Sequence, residues 1–237
     1  MGVAPKLYGY SWPGKPDFGF DNPARPDCHG AMLSAAPPAN QPGFKATWAR
    51  PLAILAAIFA VTGSLEFCMG RLPLGPDGQF GWWEGNIWSG ENSQRFADPY
   101  SFSHLTHGIL FFWFLRWLRP QMPVAQRLVV AALIEATWEL LENSPIIINR
   151  YRAATIALGY DGDSILNSMS DILMMGLGYC FAWRVRWPVA LAAVLVMEIG
   201  CALWVRDNLT LNVIMLIHPI EAIKHWQMAG APPGLLK

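Results

Sequence analysis

The feature that most constrains this chain is the succession of long apolar runs that begins after Arg50. About twenty apolar residues in a helix, at about 1.5 Å of rise each, cross the roughly 30 Å hydrocarbon core of a bilayer. Five runs approach or reach that length: Pro51 to Met69, Phe102 to Leu118, Pro123 to Leu141, Ile165 to Val185 and Trp187 to Val205. A sixth, Leu209 to Ile223, is shorter and holds His218 and Pro219. It fits a kinked span, a re-entrant segment or an interfacial helix. Only 14% of the residues are charged and 53% are hydrophobic, whereas charged residues make up about a quarter of a typical soluble domain. The expectation is an all-α polytopic membrane helix bundle of five to six transmembrane helices, with an extended Pro-rich amino-terminal arm.

Three segments follow from composition: an arm over residues 1–50, a transmembrane helical domain over 51–228, and a short carboxy-terminal tail over 229–237. The arm holds eight of the nineteen prolines and spaces Tyr8, Tyr10, Trp12, Phe18 and Phe20 along an extended pattern. A segment of this kind cannot bury a core of its own. It reads either as a disordered tail or as a docking arm for other membrane protein subunits, helped by aromatic surfaces elsewhere and by lipids. Seventeen basic and seventeen acidic residues cancel, so nothing favours nucleic acid as a partner. No cleavable signal peptide is visible. Cys28, Cys68, Cys180 and Cys201 are scattered and give no CxxC pair or disulfide framework.

Short cytoplasmic loops retain Lys and Arg. Arg116, Arg119 and Arg127 lie between spans two and three, Arg184 and Arg186 between spans four and five, and Lys45 and Arg50 before span one. All fall on one side when the amino terminus is cytoplasmic in a bacterial inner membrane. The loops of mixed charge, and the Trp82, Trp83 and Trp88 segment, then lie on the periplasmic side.

The acids inside the spans are the candidate functional residues. Glu135, Glu139 and Glu142 stand at i, i+4 and i+7, on one helix face; Asp163, Asn167 and Asp171 form a second stripe. By rise per residue, Glu135, Asp171 and Glu198 each lie roughly 10 Å below the same surface. They are expected to converge, with His104 and His107 at that end and Arg150, Arg152 and Arg206 as ion-pair partners. Ionisable groups within a membrane face a bundle interior, a partner or water, and mark function by default. The bland reading is a structural polar network of Glu139, Glu142, Arg150, Arg152, Asp163, Asn167, Arg206 and Asp207 that fixes helix packing.

Several chemistries are open. Carboxylates held close enough to share a proton can activate water, which makes Glu135, Asp171, Glu198 and His107 the catalytic candidates. His104 and His107 at i, i+3 have ligand chemistry suited to zinc or iron, but neither ExxH nor HExxH occurs, and no metal site is expected. A haem or chlorophyll would need a free imidazole, with His107 and His218 as the weak candidates; the cofactor is left unknown. Gly159 to Gly162 reads as a turn with Asp163 capping the next helix. Ser164, Ser168 and Ser170 read as packing residues.

The stretches WELLENSPIIINRYRAATIALGYDGDSILNSMSD (Trp138 to Asp171) and RDNLTLNVIMLIHPIEAIKHWQ (Arg206 to Gln227), with ENSQRFADPYSFSHLTHG (Glu91 to Gly108) and MGRLPL (Met69 to Leu74), resemble an alpha-proteobacterial multi-pass inner-membrane family, domain of unknown function 2585. The resemblance covers about residues 52–228. It implies an integral plasma-membrane protein with no established activity, so it assigns no catalytic residue. Two features depart from the family pattern: the arm is longer than the family's short leader, and GPDGQFGWW follows Leu74 where the family has a cysteine-containing segment. The string GDSILNSMSD is faintly similar to the Asn and Asp pairing of lipoprotein signal peptidases, but the second aspartate motif is missing.

Two functions from different classes are therefore expected. The first is a non-catalytic accessory or structural subunit of a larger, bioenergetic membrane complex, docked through residues 1–50. The alternative is a membrane-embedded hydrolase or lipid-processing enzyme with a carboxylate and histidine site near the periplasmic face. A transporter using the same acids as proton carriers is disfavoured, because no inverted repeat is visible.

Overall fold

The computed structural model describes residues 44–157 and 159–233, with backbone alone for 44–47. The arm therefore lies outside the described residues up to position 43, and so do residues 234–237 of the tail. The chain divides into two compact units, residues 1–41 and 42–237; the described residues all belong to the second.

The described residues hold eight helices and no strand: α1 (Phe44–Cys68), α2 (Ser101–Leu118), α3 (Val124–Glu142), α4 (Pro145–Ala154), α5 (Ile165–Arg184), α6 (Trp187–Trp204), α7 (Leu209–Ile217) and α8 (Glu221–Met228). Five coincide with the five long apolar runs. By length and apolarity, α1, α5 and α6 can each cross a membrane. The ionisable residues of α2 and α3 explain why these two fall short by composition. His104, Arg127, Glu135 and Glu139 are all buried, covered by neighbouring helices. The outside is apolar instead: Val196 and Leu203 of α6 are 70% and 80% exposed. This is the inverted pattern of a bundle whose solvent is lipid, and the chain is a membrane helix bundle.

The tightest packing joins α2 to α5. A Cβ on Gly108 would overlap the Met175 carbonyl oxygen, and one on Gly178 would overlap that of Leu105. Only glycine lets the two backbones come so near, the small-residue device of membrane helix pairs. Around this contact Ile109, Phe112 and Leu115 of α2 meet Ile172, Met175, Tyr179 and Ala182 of α5 and Ala131, Ala132 and Ala136 of α3. The Tyr179 hydroxyl, the one polar atom on this stripe of α5, donates to the Val124 carbonyl at 3.1 Å.

Local signals set the helix ends. Ser144 followed by Pro145 starts α4, in a stretch expected to be loop, since proline fits the first helical turn. The cap of α5 is Ser164, whose hydroxyl accepts from the Asn167 N–H at 3.2 Å, rather than Asp163. The final run, Leu209 to Ile223, breaks at His218 and Pro219 into α7 and α8, of 9 and 8 residues, neither long enough to span. Asn208 caps α7, accepting from the Leu211 N–H at 2.8 Å.

The loops over residues 69–100 and 155–164 cross at one end of the bundle. Gln94 Nε2 donates to the Gly162 carbonyl at 2.9 Å, Ser164 Oγ to the Gln94 carbonyl at 3.0 Å, and Asn167 Nδ2 to the Arg95 carbonyl at 2.9 Å. Trp83 of this loop stacks on Trp204 at the end of α6, with ring centroids 6.0 Å apart. Cys68, Cys180 and Cys201 are free.

Candidate functional site

Beneath these loops lies a cavity of about 1060 Å³. Phe111 and Ile134, on α2 and α3, and Val213 and Leu216, on α7, give it an apolar wall. His104, His107, Glu135, Glu142, Asp163 and Asp171 form its polar lining, together with Tyr100, Trp138, Tyr151, Tyr160 and Asp207.

The Gly108 and Gly178 contact sets the register that assembles the polar lining. His104 lies one helical turn before Gly108 and Asp171 two turns before Gly178, so each falls on the face its glycine presses into the other helix. His104 Nε2 stands 3.7 Å from Asp171 Oδ2. On α3, Glu135 reaches between the two imidazoles. It accepts from His104 Nδ1 at 2.6 Å and from His107 Nδ1 at 3.0 and 3.1 Å. An ionised carboxylate can only accept, so each imidazole presents Nδ1–H to it, which leaves the two Nε2 atoms free of that bond. His104 is closed off, whereas the His107 side chain retains 17% exposure. Phe111 stacks on the His107 ring at 5.7 Å and fixes its plane.

One turn along α3, Glu139 is wholly buried, with its Oε1 3.5 Å from His104 Nδ1. Neither of its carboxylate oxygens has a hydrogen-bond donor. The next acid outward, Asp163, is better provided. It accepts from the Tyr160 hydroxyl at 2.9 Å and from Asn143 Nδ2 at 3.1 Å, while its own N–H donates to Asn143 Oδ1 at 2.7 Å. Burial nevertheless lifts its carboxyl to about 7. Asp98 in the preceding loop is raised for the same reason, against hydrogen bonds from the N–H groups of Tyr100 and Ser93. Burial also raises the Tyr100, Tyr151 and Tyr160 hydroxyls, so they are neutral donors at the rim.

The candidates read from sequence thus divide. Glu135, Asp171, His104 and His107 come together, and Glu139 joins them. Glu198 does not: its two oxygens accept from the N–H groups of Leu209 and Thr210 at 3.2 and 3.0 Å, holding the start of α7. His218 is exposed at the end of α7, away from the cavity lining. The three arginines expected to pair with the acids bind elsewhere. Arg150 donates to the Leu216 carbonyl, Arg206 to that of Trp226, and Arg152 to that of Tyr160 while pairing with the exposed Asp161. Among the described residues no lysine or arginine forms an ion pair with Glu135, Glu139, Glu142, Asp163 or Asp171. Hydrogen bonds gather Asp163 with Asn143 and Tyr160, and Asp207 with Tyr100, Asn212 and Gln227, and Asp98, which accepts from the Ser93 and Tyr100 N–H groups, lies between the two.

Sequence reasoning missed Asn143, Trp138 and the three tyrosines. Asn143 carried a usable signal, standing four residues after Glu139 on the acid stripe. The tyrosines come from loops and helix ends and carried none. Glu66 on α1 was missed as well; it is fully buried, and neither carboxylate oxygen has a hydrogen-bond partner.

A membrane helix bundle with an ionisable site closed into one end is the class that this geometry defines. The chain belongs to the family described as Protein of unknown function (DUF2585), which it matches over residues 66–229. It is 47% identical over 177 residues to a UPF0314 protein of Sphingopyxis alaskensis, covering 75% of this chain and 94% of the relative. It is 49% identical over 178 residues to the UPF0314 protein Atu8092 of Agrobacterium fabrum, covering 74% and 89%, and 47% identical over 171 residues to RL4541 of Rhizobium johnstonii, covering 72% and 88%. No solved structure matches the fold.

Proposed function

We propose that this protein is a membrane-embedded hydrolase that cleaves an ester or phosphoester bond at the headgroup of a membrane lipid. The observation that carries this reading is the cavity itself, whose lining combines the apolar side chains Phe111, Ile134, Val213 and Leu216, suited to an acyl chain, with the His107, Glu135 and His104 group. His107 faces the cavity, and Glu135 holds its tautomer as the acid of a catalytic triad does. His107 Nε2 takes a proton from water as the water oxygen attacks the ester carbon or phosphorus. It returns that proton to the departing alkoxide, so water is consumed and an alcohol and an acid are released.

The site would lie on the periplasmic side of a bacterial inner membrane, with the amino-terminal segment cytoplasmic. Arg116 and Arg119 between spans two and three, and Arg184 and Arg186 between spans four and five, with no acid among them, support this orientation. An accessory subunit docked through its arm rests on residues mostly outside those described, and no feature of the described cavity calls for it.

The test is a time course of purified full-length protein in vesicles of total bacterial lipid, followed by mass spectrometry of lipids and water-soluble products. The reading predicts loss of one lipid class with matching release of its headgroup by wild type, and a loss of rate of at least 100-fold in Glu135→Gln. An unchanged lipid profile with wild type would overturn it, as would equal turnover by a folded Glu135→Gln.

A further inference from the structure

We propose that His104, Glu139 and Asp171 bind one divalent first-row transition ion, of the zinc or manganese type, with Glu135 orienting His104 from outside the coordination sphere. Three observations carry this. First, one donor atom from each of these three buried residues, with either ring nitrogen counted for His104, lies within 4.8 Å of the others, Glu139 Oε1 standing 3.5 Å from the ring at Nδ1. The His104 Nε2 to Asp171 Oδ2 separation of 3.7 Å is too long for a hydrogen bond. It is near the roughly 3.4 Å that separates two ligands on one tetrahedral ion with bonds of about 2.1 Å.

Second, the ligand atoms are prepared. Glu135 takes the Nδ1–H of His104, which leaves the Nε2 lone pair facing Asp171; a carboxylate behind a histidine in this way is the usual outer partner of a metal-bound imidazole. Asp171 Oδ1 accepts from Ser101 Oγ at 3.4 Å, which leaves Oδ2 for the ion.

Third, Glu139 is fully buried and neither of its oxygens has a donor. A carboxylate in that state is strongly disfavoured unless a proton or a cation meets it. Among the described residues no arginine or lysine forms an ion pair with Glu139, and the two imidazoles are already engaged by Glu135. A cation beside Asp171 and His104 neutralises two carboxylates at once. One imidazole and two carboxylates suit zinc, manganese or iron(II) better than copper or a thiolate-seeking ion. His104 and His107 at i, i+3 gave no metal motif in the sequence because the carboxylate ligands come from α3 and α5, brought in by the fold.

The use of the ion, holding and acidifying the attacking water, rests on the hydrolase reading above; the binding does not. The experiment takes full-length protein in mild detergent, strips it with chelator, and titrates it separately with Zn²⁺ and Mn²⁺. Bound ion is counted by elemental mass spectrometry after gel filtration, and thermal unfolding is followed in parallel. Wild type is expected to retain one ion per chain and to melt at higher temperature when loaded. Glu139→Gln and Asp171→Asn should each weaken binding at least 10-fold, Glu135→Gln by 10- to 100-fold, and the exposed His218→Ala not at all. Both ligand variants remove a buried charge, so the stripped variants should be at least as stable as stripped wild type, which separates lost binding from lost folding. Wild type that retains neither ion, or Glu139→Gln that retains it as wild type does, overturns the site. A bound ion with no lipid turnover overturns the hydrolase and leaves the ion site; turnover that persists in ion-free protein overturns the ion's use in the reaction and leaves the hydrolase, while the retention measurement alone decides the site.

Discussion

Replacing Gly178 by alanine tests the contact that sets the register of the site. The new methyl would meet the Leu105 carbonyl oxygen well inside contact distance, and a carbon settles no nearer than about 3.3 Å to such an oxygen. α2 and α5 must therefore part by on the order of 1 Å. Overpacking of this kind costs about 1–3 kcal/mol, while alanine in a helix returns up to about 1 kcal/mol, for a net loss near 1–2 kcal/mol. For a chain of this size that is a fall of about 2–8 °C in Tm. Gly176 is the matched control, two residues away on the same helix and with open space where its Cβ would lie. Gly176→Ala should leave Tm unchanged or raise it by a few degrees. Thermal unfolding of both variants in the same detergent decides the matter. The widened helix pair should also stretch the His104 and Asp171 approach and weaken ion retention. If Gly178→Ala melts at the temperature of Gly176→Ala, the close backbone approach is absent and the register argument fails with it.

Asp207 should make the docking of α7 and α8 depend on pH. Burial raises its carboxyl from 3.8 to about 7, opposed by hydrogen bonds from the Asn208 N–H, Tyr100 and Asn212, and Glu198 adds to the rise; Gln227 Nε2 of α8 also donates to it at 2.9 Å. The folded state thus holds a proton the unfolded chain has released, so its contribution is complete below about pH 3.8 and is lost as pH rises through about 7. Hydrogen exchange of residues 209–228 should quicken from about pH 6 to about pH 8 beyond the intrinsic rate, and Asp207→Asn should abolish the excess. Ser164→Ala removes the cap of α5 and its bond to the Gln94 carbonyl, and should cost about 1 kcal/mol, read from thermal unfolding; no change would mean the loop holds α5 without it. Alkaline phosphatase fused after Gly90 should be active and after Pro120 inactive; the reverse would put the site in the cytoplasm.

The helices were legible because burial in lipid demands long apolar runs, and α1, α2, α3, α5 and α6 follow them closely. The division of the last run into α7 and α8 was legible only as a choice of three, because a proline breaks a helix without saying where the chain goes next. The site was half legible. Spacing along α3 and α5 put Glu135, Glu139 and Asp171 on two stripes, and rise per residue put them at one height. Height says nothing of azimuth, and that is why Glu198 was grouped with them when its carboxylate holds the start of α7. Which faces meet is decided by Gly108 and Gly178, two small residues whose pairing depends on three-dimensional approach. The arginines were misplaced for a related reason: nearness in sequence suggested the acids, but carbonyls near the ends of α7 and α8 and the Tyr160 carbonyl took them.

The central claim is that the end of the cavity at His107 and Glu135 is where water attacks a lipid. Its most direct test is incorporation of oxygen from ¹⁸O-labelled water into the products released from vesicles of total bacterial lipid. Wild type should place one labelled oxygen in the released acid or phosphate, and Glu135→Gln and His107→Gln, folded by circular dichroism and gel filtration, should place essentially none. Unlabelled products, or labelling by the two variants at the wild-type rate, would contradict the account.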